Sequence, residues 1–451
     1  MTPPELAASL VERGLDRSEL AAKQALFEVV FAAFGKLPAA AGPALGSGAG
    51  HLAPARHVWW VPGRLEVFGT HTDYAGGRTL VCAVPKGIAV VARPRAGGVI
   101  HVTDARRGNR VTLRRPAGSA SFTGWRHYVE VVARRIAQNF PEAAIGADIV
   151  FASDLPRASG MSSSSALLCG LASALVRVAD IESRPEWHAN IHGTLDVAGY
   201  YACIENGLSF GTLHGDAGVG THGGSEDHAG IVATGPGRLS AFAFVPMHHS
   251  GSVRVPDDWR FVIAPCGVMS SKTGSSLEPY NRLARGAQLL LELWSGAEAP
   301  APSLGAALAS APGAADRLRV LVRRSSIVSG LPGLAGWSAE ALERRLDHFI
   351  REDARIPEAF VAFRDADAAR LTSLSDESQG DAESLLGNQV PESIALARRA
   401  RQLGAFAARS FGAGFGGSVW ALVQRAEAEA FAQSWHPGAF VAPPSPSLTQ
   451  L

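Results

Sequence analysis

Residues 4 to 37 carry apolar positions at helical spacing, first in "LAASLVERGL" and then in "LAAKQALFEVVFAAFGKL". That period predicts two helices, and "PAAAGPALGSGAG" after them reads as a flexible connector. From Val58 the pattern shortens to β-branched runs, "HVWWVPG", "LVCAVPKGIAVVARPR", "VIHVTDA" and "RVTLRR", which predict strands, several of them joined as hairpins. A helix follows in "WRHYVEVVARRIAQNF", with Trp125, Tyr128, Val129 and Val132 on one face as core positions. The strand "GADIVFASDLP" leads through a loop into another helix, and residues 195–208, "LDVAGYYACIENGL", predict one more. "GTLHGDAGVGTHGGSEDHAG" is too rich in glycine for regular structure, and "RLSAFAFVP" resumes as a strand. "HHSGSVRVPDD" reads as the boundary between two domains, residues 1–250 and 255–445. Beyond it the pattern predicts a strand in "RFVIAPCGV", helices to about residue 410, a glycine-rich turn and the strand "SVWALV". "VAPPSPSLTQL" reads as a loose tail, and no internal repeat is found.

Composition narrows the function. In 451 residues, 47% apolar content against 18% charged supports a large core. Lys and Arg number 42 and Asp and Glu 41, so the chain lacks the electrostatic footprint of a nucleic-acid or anionic-membrane binder. Small-molecule chemistry is expected instead. Cys82, Cys169, Cys203 and Cys266 stand far apart in small or apolar surroundings and read as buried thiols of a reducing compartment. Glu5, Glu12 and Asp16 interrupt the start of the chain where a secretory signal needs a continuous apolar stretch, so a cytoplasmic location is expected. Nowhere do eighteen apolar residues run without a charge or proline, which excludes an apolar membrane span.

Three loops can carry chemistry. In "DIVFASDLPRASGMSSSSALLCGLASALVRV" a strand ends in a loop and Ser162 to Ser165 open a helix. The first turn of a helix offers unpaired N–H groups and a positive dipole end, so this is either an anion cradle suited to phosphate or a serine-rich N-cap. A nucleophile elbow is disfavoured because no serine has glycine two residues away on both sides. "SFGAGFGGSVWALV" satisfies the spacing of a dinucleotide fingerprint at Gly412, Gly414 and Gly417. Its context does not, since the helix "ESIALARRARQLGAFAARS" precedes it and a strand follows; it is a tight connection or a place where a ligand approaches the backbone. The third loop gathers His214, Asp216, His222, Glu226, Asp227 and His228, at spacings that fit no standard zinc pattern. An acid there can serve as a base toward a substrate hydroxyl. His188 and His192 lack the acidic partner of a zinc-protease helix and read as solvated surface.

Taken together, "VPGRLEVFGTHTDYAGGRTLVCAV", "LPRASGMSSSSAL" and "SFGAGFGGSVWALV" resemble, in order and separation, the three signature motifs of the galactokinase branch of the GHMP kinases. "GWRHYVEVV" is similar to that family's tryptophan-tyrosine helix, and the resemblance runs from about residue 58 to about residue 425. It implies an α/β (α+β) fold of two domains, ribosomal-S5-like and then ferredoxin-like, with the active site in the cleft between them. It also implies transfer of the ATP γ-phosphoryl group, with Mg2+, to the anomeric hydroxyl of galactose or a close relative. The alternatives are a kinase for another sugar or sugar acid, and a regulator that binds ATP and sugar without turnover.

Residue by residue, the resemblance gives Arg64 to the transferring phosphoryl group and Asp227 to the catalytic aspartate, with Glu226 as its rival. Gly160, Met161, Ser162, Ser163, Ser164 and Ser165 match the phosphate loop, and Ser164 and Glu205 match the magnesium ligands. Thr70, His71, Asp73, Gly224 and Tyr280 match the sugar site. Such roles are what phosphoryl transfer requires: a metal, donors to the oxygens and a group to orient the nucleophile. The chain departs from the family at Thr70, where galactokinases have glutamate, and at Glu66, where they have asparagine. "GGSEDH" stands for the "CGIMDQ" type, roughly ten extra residues separate Glu205 from Asp227, and "RASG" replaces a more glycine-rich run. A sugar substrate, no nucleic acid, no membrane and a monomer or weak homodimer complete the expectation.

Overall fold

The computed structural model describes residues 1–38, 55–114, 122–156, 159–270, 276–327 and 336–451. Residues 39–50 of the expected connector, and Arg157 and Ala158 of the phosphate loop, lie outside them.

Seven strands, β1 (His57–Phe68), β2 (Arg78–Pro94), β3 (Val99–Asp104), β4 (Arg110–Arg114), β5 (Ala147–Ser153), β6 (Arg238–Ala243) and β7 (His248–Arg254), share one large sheet. A second sheet contains β8 (Trp259–Pro265), β9 (Ala407–Phe411), β10 (Ser418–Gln424) and β11 (Phe440–Val441). The short strand β12 (Thr449–Gln450) returns to the large sheet, whose order is β12-β1-β2-β5-β3-β4 with β6 and β7 continuing from β2.

β1 is buried on both faces, and the side-chain period of two explains its nearly unbroken apolar run. Val58 and Trp60 pack under the N-terminal helices Pro3–Glu12 and Leu20–Gly35, with Leu10, Phe27 and Val30. Trp59 and Val61 point the other way, into a core built from the helices Trp125–Asn139, Ser163–Val178 and Thr194–Asn206. The predicted face of Trp125–Asn139 is there: Tyr128, Val129 and Val132 are buried, and Trp125 packs against the same cluster.

The small sheet has the order β11-β8-β10-β9, which in chain order is 4-1-3-2, the ferredoxin-like arrangement. Its outer face packs on helices Pro391–Gln402 and Ala428–Trp435; from its inner face Phe261, Trp420 and Leu422 enter the main core beside Phe363 of the long helix Ala339–Arg364. That helix therefore joins the two sheets. Helices Leu277–Ala297, Leu304–Ala309 and Ala314–Ile327 close a further apolar cluster around Ala75.

Four readings of the pattern are corrected. "HHSGSVRVPDD" contains β7, whose half-exposed His, Ser and Gly positions hide an edge strand; the chain leaves the large sheet only between Arg254 and Trp259. The helix before the glycine turn ends at Gln402, and Gly404 at φ +103° breaks it so that β9 forms, making the turn a β9–β10 hairpin. Within the glycine-rich loop, Glu226–Val232 is a short buried helix. The tail is not loose: Trp59 and Trp60 pair with Gln450 and Thr449, and the Ser445, Leu448 and Leu451 N–H groups donate to Ala83, Ile231 and Val58. Removal of residues 445–451 is expected to cost about 2–4 kcal/mol, at roughly 1 kcal/mol for each backbone hydrogen bond lost. Urea titration checks this, and an unchanged midpoint counts against the tail's structural role.

Candidate active site

Arg64 projects from β1 and is 1% exposed. Its own N–H donates to the Met161 carbonyl at 3.3 Å, and its Nη1 donates to the Gly160 carbonyl at 2.5 Å, which fixes the phosphate loop against the strand. On its other side, Nη2 stands 2.6 Å from Asp227 Oδ1 and Nε 2.9 Å from Glu226 Oε1. A Cβ on Gly412, at φ +77°, would come within 2.8 Å of the Gly160 carbonyl and 3.3 Å of Arg64 Nη2. The glycine hairpin can close over the guanidinium only because that Cβ is absent.

The sugar motif folds as a tight turn after β1. The Thr72 hydroxyl lies within donating distance of the Gly69 and Arg78 carbonyls, at 2.8 and 2.7 Å, and its one hydrogen shared between them shapes the turn. His71 takes a left-handed backbone, φ +58°, as do Ser162 in the phosphate loop and Phe415 in the hairpin. Such conformations persist in non-glycine residues where the surroundings over-determine them. His71 Nε2 donates to the Ala413 carbonyl at 3.0 Å, and Nδ1 accepts from the Tyr74 hydroxyl at 2.8 Å, which itself accepts from Arg345 at 3.1 Å. Asp73 Oδ2 accepts the Glu226 N–H at 3.1 Å, and a Cβ on Gly224 would overlap the Asp73 carboxylate.

One pocket collects these groups. Arg64, Glu66, His71, Asp73, Glu205, Gly224, Glu226, Asp227 and Tyr280 line it, beside Tyr74 and the hairpin at Gly412 and Ala413. Tyr280 leans on the His71 ring at 5.3 Å between centroids. Asn206 holds the glycine loop in place, donating to the Gly224 carbonyl and accepting from the Gly223 N–H. Among the loop's other candidates, His214 and His222 are exposed, and Asp216 pairs with Arg134 at 2.9 Å. His188 and His192 are also exposed, on either side of the end of the short helix Pro185–His188.

The serines stand next door. Ser163 and Ser164 are half-buried in the first turn of the helix Ser163–Val178, and Ser165 Oγ donates to Asp227 Oδ2 at 3.3 Å. Met161 is fully buried, and Ser162 Oγ is buried with no hydrogen-bond partner among the described residues. Glu205 Oε2 lies 3.0 Å from His228 Nε2, yet the two are not aligned as a hydrogen bond, and the carboxylate oxygen is left orphaned.

Thr70 is not part of the lining. Its hydroxyl donates to Glu66 Oε1 and accepts from Arg409, while its N–H donates to Glu352 at 3.3 Å. Glu352, wholly buried, also accepts from the Gly69 N–H, Arg409, Arg355 and Ser378. Burial alone would raise its pKa, but Arg409, His348 and Arg355 bring it well below the usual carboxylate range. Tyr74, Asn206, Arg345, Glu352 and Arg409 were not found from the sequence. The signal for two of them was the polar series Arg345, His348, Glu352 and Arg355 on one face of the long helix, all buried where an apolar stripe is expected.

The galactokinase galactose-binding signature matches residues 49–94, the N-terminal domain of GHMP kinases residues 127–203, and their C-terminal domain residues 359–441. In these three segments the chain is similar to galactokinases and other GHMP kinases. A galactokinase of Roseiflexus sp. is 26% identical over 385 residues, covering 83% of this chain and 86% of that one. A galactokinase of Actinobacillus pleuropneumoniae is 36% identical over 115 residues, so the match spans 30% of that relative's length. The crystal structure of Lactococcus lactis galactokinase complexed with galactose superposes with a TM-score of 0.70 at 21% identity, covering 88% of this chain and 95% of that one. The shared fold is thus the two-domain α/β architecture of GHMP kinases, a family whose phosphoryl donor is ATP.

Electrostatics set an order among the site's carboxyls. Arg64 faces Glu66, Glu226 and Asp227; Arg409 also reaches Glu66, but Glu226 and Asp227 are left to share the one Arg64 guanidinium. Burial, then the Glu66 charge, pushes the Glu226 carboxyl well above the ordinary range even though Arg64 opposes the shift. The folded state therefore binds this proton more tightly than the unfolded chain, and wild-type stability falls as pH rises above the ordinary carboxyl range. Glu226→Gln has no such proton to lose. Its stability relative to wild type is expected to improve steadily from pH 5 to pH 8 in urea midpoints, and a gap independent of pH would rule the assignment out.

Proposed function

We propose that this chain transfers the γ-phosphoryl group of ATP to the anomeric hydroxyl of galactose or a closely related hexose. One observation carries the reading: Asp227 touches the serine helix through Ser165 on one side, touches Arg64 on the other, and faces the pocket that holds His71, Asp73 and Tyr280. A group at that junction lies between a phosphate cradle and a hydroxyl-reading pocket. The family match and the Roseiflexus galactokinase, similar over most of both chains, support the same chemistry.

The sugar lies against Tyr280 and the His71 ring, whose two nitrogens are taken by Ala413 and Tyr74, with Asp73 directed at its hydroxyls. Asp227 orients the attacking hydroxyl and takes its proton as the oxygen bonds to the γ-phosphorus and the bond to ADP breaks. Arg64, already positioned by the Gly160 carbonyl, balances charge on the transferring group. The N–H groups opening the helix at Ser163 to Ser165, with the orphaned Ser162 hydroxyl, receive the nucleotide phosphates. Mg2+ fits the donor set. Glu205 offers a buried, unsatisfied carboxylate oxygen and Ser164 a hydroxyl in the first helical turn; two protein oxygens completed by phosphates and water is the usual magnesium arrangement. Held by Glu205 and Ser164, such an ion would offset the charge of the nucleotide phosphates. The enzyme works as a monomer or weak homodimer in a reducing compartment such as the cytoplasm, where Cys82, Cys169, Cys203 and Cys266 stay unpaired.

ATP consumption against a panel of free hexoses with magnesium tests the reading. Turnover with galactose or an epimer is expected, and ATP binding with no turnover on any sugar would point to a regulator. Asp227→Asn is expected to lower kcat by about 10²–10⁴ while ATP binding stays near wild type. Retained turnover would pass the base role to Glu226.

A further inference from the structure

We infer that Glu66 is a specificity-determining residue of the sugar pocket, its carboxyl group held by Thr70 and Arg409 so that the second oxygen meets a hydroxyl of the bound sugar. The inference rests on the kinase reading above and names a residue that reads the substrate. Glu66 and Arg64 stand two apart on β1, on the same face of the strand, so both side chains enter the pocket. Glu66 is 1% exposed, and Oε1 accepts from the Thr70 hydroxyl and, at 3.5 Å, from Arg409 Nη2. Oε2 has no hydrogen-bond partner among the described residues, while the carboxyl group lines the pocket with His71, Asp73 and Glu226.

Thr70 has no freedom to read a substrate itself. Its hydroxyl hydrogen goes to Glu66 and its oxygen is taken by Arg409, so its function is to position the Glu66 carboxyl group. Arg409 is in turn fixed by Glu352 at 2.9 Å and by the Val67 carbonyl at 3.3 Å. A carboxyl oxygen held this rigidly on a buried residue favours a ligand that donates a hydrogen bond and disfavours one that leaves it unpaired. Burial raises the Glu66 pKa despite Arg409 and Arg64, the expected sign for a group whose solvation a substrate must replace.

The test is a set of kinetic cycles between protein variants and sugars. Wild type, Glu66→Gln and Thr70→Val are assayed on the best free hexose and on its deoxy analogues, one for each non-anomeric hydroxyl. Glu66→Gln is expected to raise KM for the parent sugar by about ten- to a hundredfold, more than it lowers kcat, with KM for ATP unmoved. One deoxy analogue should be equally poor with wild type and Glu66→Gln, which identifies the hydroxyl that Glu66 reads. Thr70→Val should weaken discrimination at that same position, and Thr70→Ser should restore it, a pattern that loss of folding does not produce. Equal penalties on every analogue would overturn the inference and leave the kinase reading intact. A wild type that neither binds nor phosphorylates any hexose would overturn both.

Discussion

Everything in this site depends on one buried cation. Arg64 cannot leave its place, because its backbone belongs to the long β1–β2 pair and its side chain is held by a carbonyl on one side and two carboxyl groups on the other. A guanidinium buried this deeply is tolerated only when each of its faces is paired, so the phosphate loop, the short acidic helix and the glycine hairpin are all positioned by it. Moving any of the three would strand charge. The surrounding loops are irregular, yet their mutual geometry is set as firmly as that of a strand.

A second buried charge does for the sugar loop what Arg64 does for the phosphate loop. Glu352 reaches from the long helix between the sheets and accepts the N–H groups of Gly69 and Thr70, residues of a turn 283 and 282 positions away along the chain. The same carboxylate binds Arg409 of the small sheet. Sugar loop, long helix and small sheet are therefore fixed to one another through a single ionised group, and burial of that group strengthens each hydrogen bond it accepts.

Much of this was legible in the sequence, for identifiable reasons. The strands β1 to β5 and the helices packed on them announce themselves by period, because burial on one or two faces leaves a clean pattern. Arg64, His71, Asp73, Glu205, Gly224, Asp227 and Tyr280 were named from motifs, and all line one pocket. Thr70 was named from the same motif and is tucked behind it, since a motif position carries no information on whether a side chain faces forward or back. β7 and β12 were missed because an exposed or very short strand has no apolar period, and the helix at Glu226 because glycine neighbours masked it. The ties made by Glu352 and Arg409 join residues hundreds of positions apart, and no local pattern encodes them.

The pairing of β12 with β1 has a consequence for how the molecule comes into being. Trp59 and Trp60 are translated well before the strand that completes their edge of the sheet, which follows every other strand in chain order. The ordinary habit of folding one domain as soon as it emerges is thereby denied to this chain in full. Until the tail arrives, β1 keeps an unpaired edge beside the strand pair that carries Arg64, and such edges invite pairing with other chains. A nascent or truncated form is for that reason exposed to misassembly at the very strand that carries Arg64 and Glu66 into the pocket.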